Sequence, residues 1–414
     1  MCSTDVPDAA VPASPTAVRR RRLLHWATAA GIGAAALAPR ALRAAQPVLL
    51  GFDGEFGVAG SSSAQAIQAG IEIALDEINT AGGVLGGRPL TLVTRDNRAM
   101  PPRTARHLRE FAEMPDLVGV FCGRFSPTVL ESLPLVHTLR LPLFDPWASA
   151  DGIIEHAHRP SYTFRLAVPD RWALPLMSTH AARRGQRTLG MLAVNTAWGR
   201  SSDRALAAHL AARMPTQRMV ATRWFNYTDG PEVIAARYGE LVQAGAEAVL
   251  FIGNYREGAE LLLSVAAMAQ AMRRPVLAHT GVTGGDLHAA ARGALATVDL
   301  GVVQAFGFGN DRRPRAAAVR AAALQRLGGN GRTVPSVGGL AQAYDLTHIV
   351  ARSIDLAGST SRTGLRDALE RAPAYNGLIR DYPAPFTPTR HEALAESDLY
   401  IARFDADGVL VRAT

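Results

Sequence analysis

The sequence predicts an α/β fold with parallel sheets, on three observations. Residues 48–96 read as one strand–helix–strand unit, the same alternation resumes from Trp172, and 414 residues suffice for two or three domains with ample core. Val48 to Phe52 is a short apolar run of strand type, followed by a loop rich in Gly and Ser. From Gln65 to Ile78 the residues Ala66, Ala69, Gly70, Ile73, Ala74 and Ile78 recur at spacings of three and four, the stripe of a helix packed on a sheet. Asn79, Gly82 and Gly83 end that helix, because Asn and Gly tolerate the left-handed backbone of a helix stop. Leu90 to Thr94 is the next strand. Such a unit forms a right-handed crossover, and the loop after its first strand lies at the carboxyl edge where open α/β sheets bind ligands.

The run GIEIALDEINTAGGVLGGRPLTLVTRDN, which begins at Gly70, resembles the opening of the periplasmic branched-chain amino-acid-binding proteins. These are the type I solute-binding proteins of ABC importers. The resemblance covers about residues 47–414 and implies two Rossmann-like lobes joined by a hinge, the type I periplasmic binding protein fold. It divides the chain into a signal segment (1–45), a first part of lobe 1 (46–166), a first part of lobe 2 (167–303), a second part of lobe 1 (304–378) and a C-terminal part of lobe 2 (379–414).

Composition bounds the chemistry. Charged residues are 19% and hydrophobic ones 48%, the balance of a globular chain. The 44 basic residues are all arginine, which excludes a Walker A lysine, a lysine Schiff base and a Ser-Lys nucleophile. Six arginines against two aspartates in residues 1–44 account for half of the +8 net charge. No basic stripe with interleaved aromatics follows, so no nucleic-acid partner is expected. Motifs of the G-x-S-x-G, H-E-x-x-H and C-x-x-C kinds are missing, and no catalytic residue, cofactor or metal is expected. His156 and His158 form an HxH pair without a third ligand and read as a solvated loop.

Arg20-Arg21-Arg22-Leu23-Leu24 fits a twin-arginine export signal. The apolar run Trp26 to Ala38 falls short of the ~20 residues that span a bilayer, and small residues at Ala41, Ala44 and Ala45 offer a cleavage site. The alternative is a permanent N-terminal anchor. Beyond this segment Cys122 stands alone, so no internal disulfide can form.

Further elements follow in order. Helices are expected at Pro101–Met114, Val129–Thr138, Trp172–Arg184, Ser202–Met214, Glu232–Gln243, Gly258–Ala271, Arg315–Leu327, Gly339–Ala357 and Leu365–Arg371. Strands are expected at Leu117–Cys122, Leu141–Phe144, Thr188–Val194, Met219–Trp224, Ala248–Ile252, Pro275–Ala278 and Gly301–Phe306, with a C-terminal hairpin turning at Phe404 to Gly408.

Candidate ligand contacts sit where strands run into loops. Ser126 opens a helix whose unpaired N–H groups favour an anion, and its hydroxyl would add a charge-assisted bond of roughly 1.5–3 kcal/mol. A serine there also serves as a cap. The resemblance implies that Ser126 and Ser149 hold a ligand carboxylate, with Thr128 and Ala148 beside them. Trp147 replaces a small residue of the family pattern and either fills the cleft or stacks on a planar ligand. Trp198 stands where the family carries an aromatic that packs on the ligand from lobe 2, and Tyr255 or Asn254 falls at a further contact position.

At Thr280 the sequence departs from that pattern. Amino-acid binders carry a carboxylate near this turn for the ligand ammonium, whereas here no acid comes before Asp286. An unpaired buried ammonium costs about 3–5 kcal/mol. A plain α-amino acid is therefore disfavoured unless Asp53 or Glu55, in the first loop, reaches across. The expectation is a periplasmic monomer, exported by the twin-arginine route, that closes on a small carboxylate- or amide-bearing ligand. It would deliver this ligand to the permease and ATPase subunits of an ABC importer. The alternative is an exported or regulatory sensor of the same fold.

Overall fold

A computed structural model describes residues 46–59, 61–328 and 333–413; the twin-arginine motif and the cleavage site fall outside them. The first sheet and its helices are built from β1 (Val48–Gly54), α1 (Ser63–Thr80), β2 (Leu90–Asp96), α2 (Pro101–Glu113), β3 (Leu117–Cys122), α3 (Ser126–Thr138), β4 (Leu143–Asp145) and β5 (Thr163–Arg165). Its five strands are all parallel, in the order β2-β1-β3-β4-β5. The chain then crosses to α4 (Asp170–Arg183), β6 (Thr188–Val194), α5 (Ala197–Arg213), β7 (Arg218–Phe225), α6 (Pro231–Gln243), β8 (Ala248–Ile252), α7 (Tyr255–Ala267), β9 (Val276–Ala278), α8 (Leu287–Ala291) and β10 (Leu300–Gln304).

It returns to the first sheet with α9 (Pro314–Leu327), α10 (Val337–Ala357) and α11 (Arg362–Leu369). Here α10 lies against α1 so closely that a Cβ at Gly70 would stand 2.2 Å from the Leu340 carbonyl oxygen, which only glycine avoids. Arg362 in α11 donates to the Leu117 carbonyl at the start of β3. A small hairpin of β11 (Tyr375–Asn376) and β12 (Asp381–Tyr382) follows, clipped by buried Asp345, which accepts from the Leu378 and Ile379 amides and the Tyr382 hydroxyl. Finally β13 (Tyr400–Phe404) and β14 (Leu410–Arg412) join the second sheet antiparallel, giving β14-β13-β10-β9-β8-β6-β7.

Two of the crossings run side by side. The Arg165 amide donates to the His391 carbonyl at 2.8 Å and the Ala393 amide to the Arg165 carbonyl at 2.9 Å. The Arg165 side chain is fully buried there, bonded to Glu392, whose second oxygen meets Arg171. In a two-lobed fold, the segments that cross between the lobes are where hinge bending is absorbed.

Several helices start earlier than the periodicity predicts: α3 at Ser126, α5 at Ala197, α7 at Tyr255. In α5 the reason is Gly199, which reads as a loop residue yet sits in the first turn. A Cβ there would lie 2.0 Å from the Val194 carbonyl oxygen, so glycine marks a close helix–strand approach, not a break. The HxH pair is no simple solvated loop. His158 stacks on His137 at 4.3 Å and His156 packs edge-on at 4.8 Å. His137 spends both ring nitrogens, on the Leu133 carbonyl and the Tyr162 amide, which leaves none for a metal.

Candidate functional site

The carboxyl ends of the strands in the two sheets face one another, and their loops close on a single small cavity. Arg124, Ser126, Trp147 and Ser149 line it from the first sheet, and Trp198, Asn254, Thr280 and Gly281 from the second. Six of the ten residues singled out in the sequence thus come together. The cavity volume is ≈ 10 Å³, about one water molecule. A roomier, mostly apolar cavity of ≈ 290 Å³ lies to one side, between Ser62, Val334 and Val337 and the segment from Asp286 to His288.

On the first sheet's edge the organising residue is Arg124, in the turn between β3 and α3. Its guanidinium is buried, with Nε 3.7 Å from Glu55 Oε1 and Nη1 donating to Asn254 Oδ1 across the cleft at 2.9 Å. Glu55 is buried behind it, at the end of the first loop. Its Oε1 accepts from the Ser63 hydroxyl and the Arg124 amide, both at 3.1 Å, while Oε2 has no hydrogen-bond partner. Burial pushes the Glu55 carboxyl above its ordinary value, and Arg124 only partly opposes that.

Ser126 is the first residue of α3, with Phe125 at the cap position. Its hydroxyl oxygen accepts from the Ala150 amide at 3.2 Å, so it ties α3 to the loop after β4 and does not cap its own helix. Ser149 donates weakly to the Trp147 carbonyl, and its own carbonyl accepts the Asp170 amide at the first crossing. That loop is shaped by Asp145, which accepts from the Trp147 and Ala148 amides; burial lifts its carboxyl to about 6. Trp147 fills space: a Cβ at Gly339 would lie 2.0 Å from its Cε3, so its ring packs directly against the start of α10.

On the second sheet's edge Trp198 lies in the first turn of α5. Its Nε1 donates to Asp170 Oδ1 at 3.1 Å, its ring meets His279 edge-on, and its far edge covers Gly281. The same Asp170 oxygen accepts from Ser202 and lies 3.4 Å from His279 Nε2. Asn254 caps α7, with its amide N–H donating to Glu257. Tyr227, pushed up to about 12 chiefly by burial, meets Phe125 edge-on from the opposite loop. Further bonds join the two edges: the Ser62 amide to the Gly284 carbonyl at 3.1 Å and the Asp151 amide to Ser201 Oγ at 3.0 Å.

Four predicted residues lie elsewhere. Thr128 is one turn into α3 and its hydroxyl is spent on the Phe125 carbonyl. Ala148 is buried under the loop, its carbonyl turned toward Arg165. Tyr255 begins α7 and packs over Gly285, away from the cavity. Glu55 stands behind Arg124 and does not reach the cavity, and Asp53 is engaged by His107, Thr104 and Asn97. Neither acid crosses to the ligand side. Arg124 is the residue that sequence reasoning missed. The available signal was a charged residue directly before the Phe-Ser-Pro turn, at the carboxyl edge of a central strand.

The lining offers hydroxyls, an amide, a guanidinium and two indoles. Known structures share the architecture. The chain matches the periplasmic binding protein type 1 from Bordetella pertussis Tohama I with a TM-score of 0.78 at 20% identity, covering 89% of this chain and 100% of that one. The substrate-binding protein LivJ of a branched-chain amino acid transporter from Streptococcus pneumoniae, in complex with isoleucine, matches at 0.73 and 17%, over 89% and 100%. A fatty acid ABC transporter substrate-binding protein from Thermomonospora curvata matches at 0.72 and 17%, over 89% and 92%. No curated protein matches the sequence. The sequence model described as periplasmic binding protein spans residues 47–409, and by that match the chain belongs to the periplasmic binding protein family, with the two-lobed type I fold.

Proposed function

We propose that the chain is the extracytoplasmic solute-binding protein of a branched-chain amino-acid-type ABC importer, exported by the twin-arginine route, and that it closes on a small carboxylate- or amide-bearing ligand without turning it over. One observation carries this reading. Ser126 and Ser149 from one sheet edge and Trp198, Asn254 and Thr280 from the other bound a single cavity beside a hinge. A ligand held there touches both lobes and favours the shut form, the state a permease can read. With space for about one water when shut, the cleft must part for a solute to enter.

The test combines a thermal-shift screen of aromatic and aliphatic acids, amides and amino acids on the full chain with small-angle scattering of each hit. A ligand should raise the melting temperature and shrink the radius of gyration. Binding with an unchanged scattering profile would remove hinge closure, and chemical conversion of a hit would make the protein an enzyme.

A further inference from the structure

Arg124 is the one cation lining the small cavity among the described residues, and no carboxylate lines that cavity. Its guanidinium lies over the Phe125 ring at 4.7 Å, and its N–H donors are not all spent. Nη1 reaches Asn254 Oδ1 at 2.9 Å, Nε is buried without a hydrogen-bond partner, and Glu55 Oε1 is 3.7 Å away, beyond hydrogen-bond distance. Glu55 is directed elsewhere: Oε1 already accepts from Ser63 and the Arg124 amide, and Oε2 takes nothing from Arg124. Glu55 thus holds the guanidinium in a buried position without using its donors. A rigid fork of five N–H groups matches a carboxylate in two parallel bonds.

The remainder of the wall suits the same partner. Ser126, Ser149 and Thr280 share the lining with Arg124, and the Ser126 hydroxyl, whose oxygen accepts from the Ala150 amide, keeps its own proton to donate. An ammonium finds no carboxylate in the lining itself, and the unpaired Oδ2 of buried Asp170 lies outside it. Asp53 is saturated by His107, Thr104 and Asn97, and Asp170 lies behind the Trp198 indole that donates to it.

We propose that Arg124 reads the charge of the solute: a ligand carboxylate takes the guanidinium donors now given to Asn254 Oδ1. The cleft therefore selects organic carboxylates without an ammonium and rejects both neutral amides and α-amino acids. This rests on the reading of the cleft given above and narrows it from carboxylate-or-amide to carboxylate alone.

Matched triplets on one carbon skeleton decide the point: 3-phenylpropanoate, 3-phenylpropanamide and phenylalanine, with 4-methylpentanoate, 4-methylpentanamide and leucine as the aliphatic set. Calorimetry on the full chain should show the acid binding at least about tenfold tighter than its amide, and at least about a hundredfold tighter than its amino acid. Arg124→Met should bring the acid down to the amide's affinity and leave the amide nearly unchanged. The Glu55→Gln/Arg124→Met double variant, which leaves no lone buried charge, should behave the same and guards against misfolding of the single variant. Equal binding of acid and amide by the wild type, or an acid preference that survives in either variant, overturns the assignment while the cleft reading stands. If no compound in either triplet binds the wild type, the cleft reading itself fails and this inference fails with it.

Discussion

Among the described residues two arginine–glutamate pairs are buried, one at the hinge and one in the cleft, and they are built differently. At the hinge Arg165 places Nε 3.0 Å from Glu392 Oε1, adds Nη2 to the same oxygen, and gives Nη1 to the Ala150 carbonyl at 2.8 Å. The other Glu392 oxygen is taken by Arg171. Burial pushes the Glu392 carboxyl up, but Arg165 and Arg171 together hold it below its ordinary value. In the cleft, Arg124 and Glu55 stand 3.7 Å apart, with Arg124 Nε and Glu55 Oε2 both unpaired, and burial holds the Glu55 carboxyl high. A fully satisfied buried pair serves the fold. An under-satisfied one in a cleft is what a binding site keeps for its ligand.

The sharpest way to break this comparison is Arg165→Met. It strips Glu392, Asp145 and the Ala150 carbonyl of a buried cation and should cost about 3–5 kcal/mol in urea unfolding. Arg124→Met should cost less than about 2 kcal/mol, because Glu55, already displaced toward its neutral form, can take up a proton when its cation is lost. Comparable losses in the two variants would mean that both pairs are scaffolding.

The smallest effect is a difference in pH dependence. Glu392 has a lowered folded value, so its contribution is complete above its ordinary 4.5 and is lost as pH falls through the folded value. For Glu55 the sign reverses: its value is raised, so its contribution is complete below 4.5 and is lost as pH rises through the folded value. Melting curves across this range should therefore show Glu392→Gln losing the acid-side dependence and Glu55→Gln flattening the decline above it. The same change of slope in both variants would erase the distinction.

Strands were the most legible part of the chain. β3, β6 and β8 match the expected ranges residue for residue, because short apolar runs bounded by polar or glycine residues leave little choice of limits. The hairpin at Phe404 to Gly408 was equally plain. By contrast β5 went unread as a strand, since the three residues Thr163–Arg165 are defined by pairing with β4 and not by a pattern of their own. Helix starts differ by about a turn: α5 begins before Gly199, which reads as loop, and α7 begins at Tyr255, three residues before the Gly258 at which its pattern starts. In the site, hydroxyl and aromatic residues at strand ends were visible because their position relative to the sheet edge follows from chain order. Between Asn254 and Tyr255, which chain order does not separate, the helix start decides. With Asn254 as cap, the helix begins at Tyr255 and turns its ring away.

The amino-acid sequence alone determined the alternation of strands and helices, the family, and which loops would gather at the carboxyl edges, since each depends on residues near one another in the chain. Only the tertiary structure decided the electrostatics. Arg124 meets Glu55 and Asn254 from 69 and 130 positions away, and Arg165 meets Glu392 from 227. Whether a buried charge is satisfied or left with donors to offer depends on distances of a few tenths of an ångström between such remote partners, and no local pattern of residues records them.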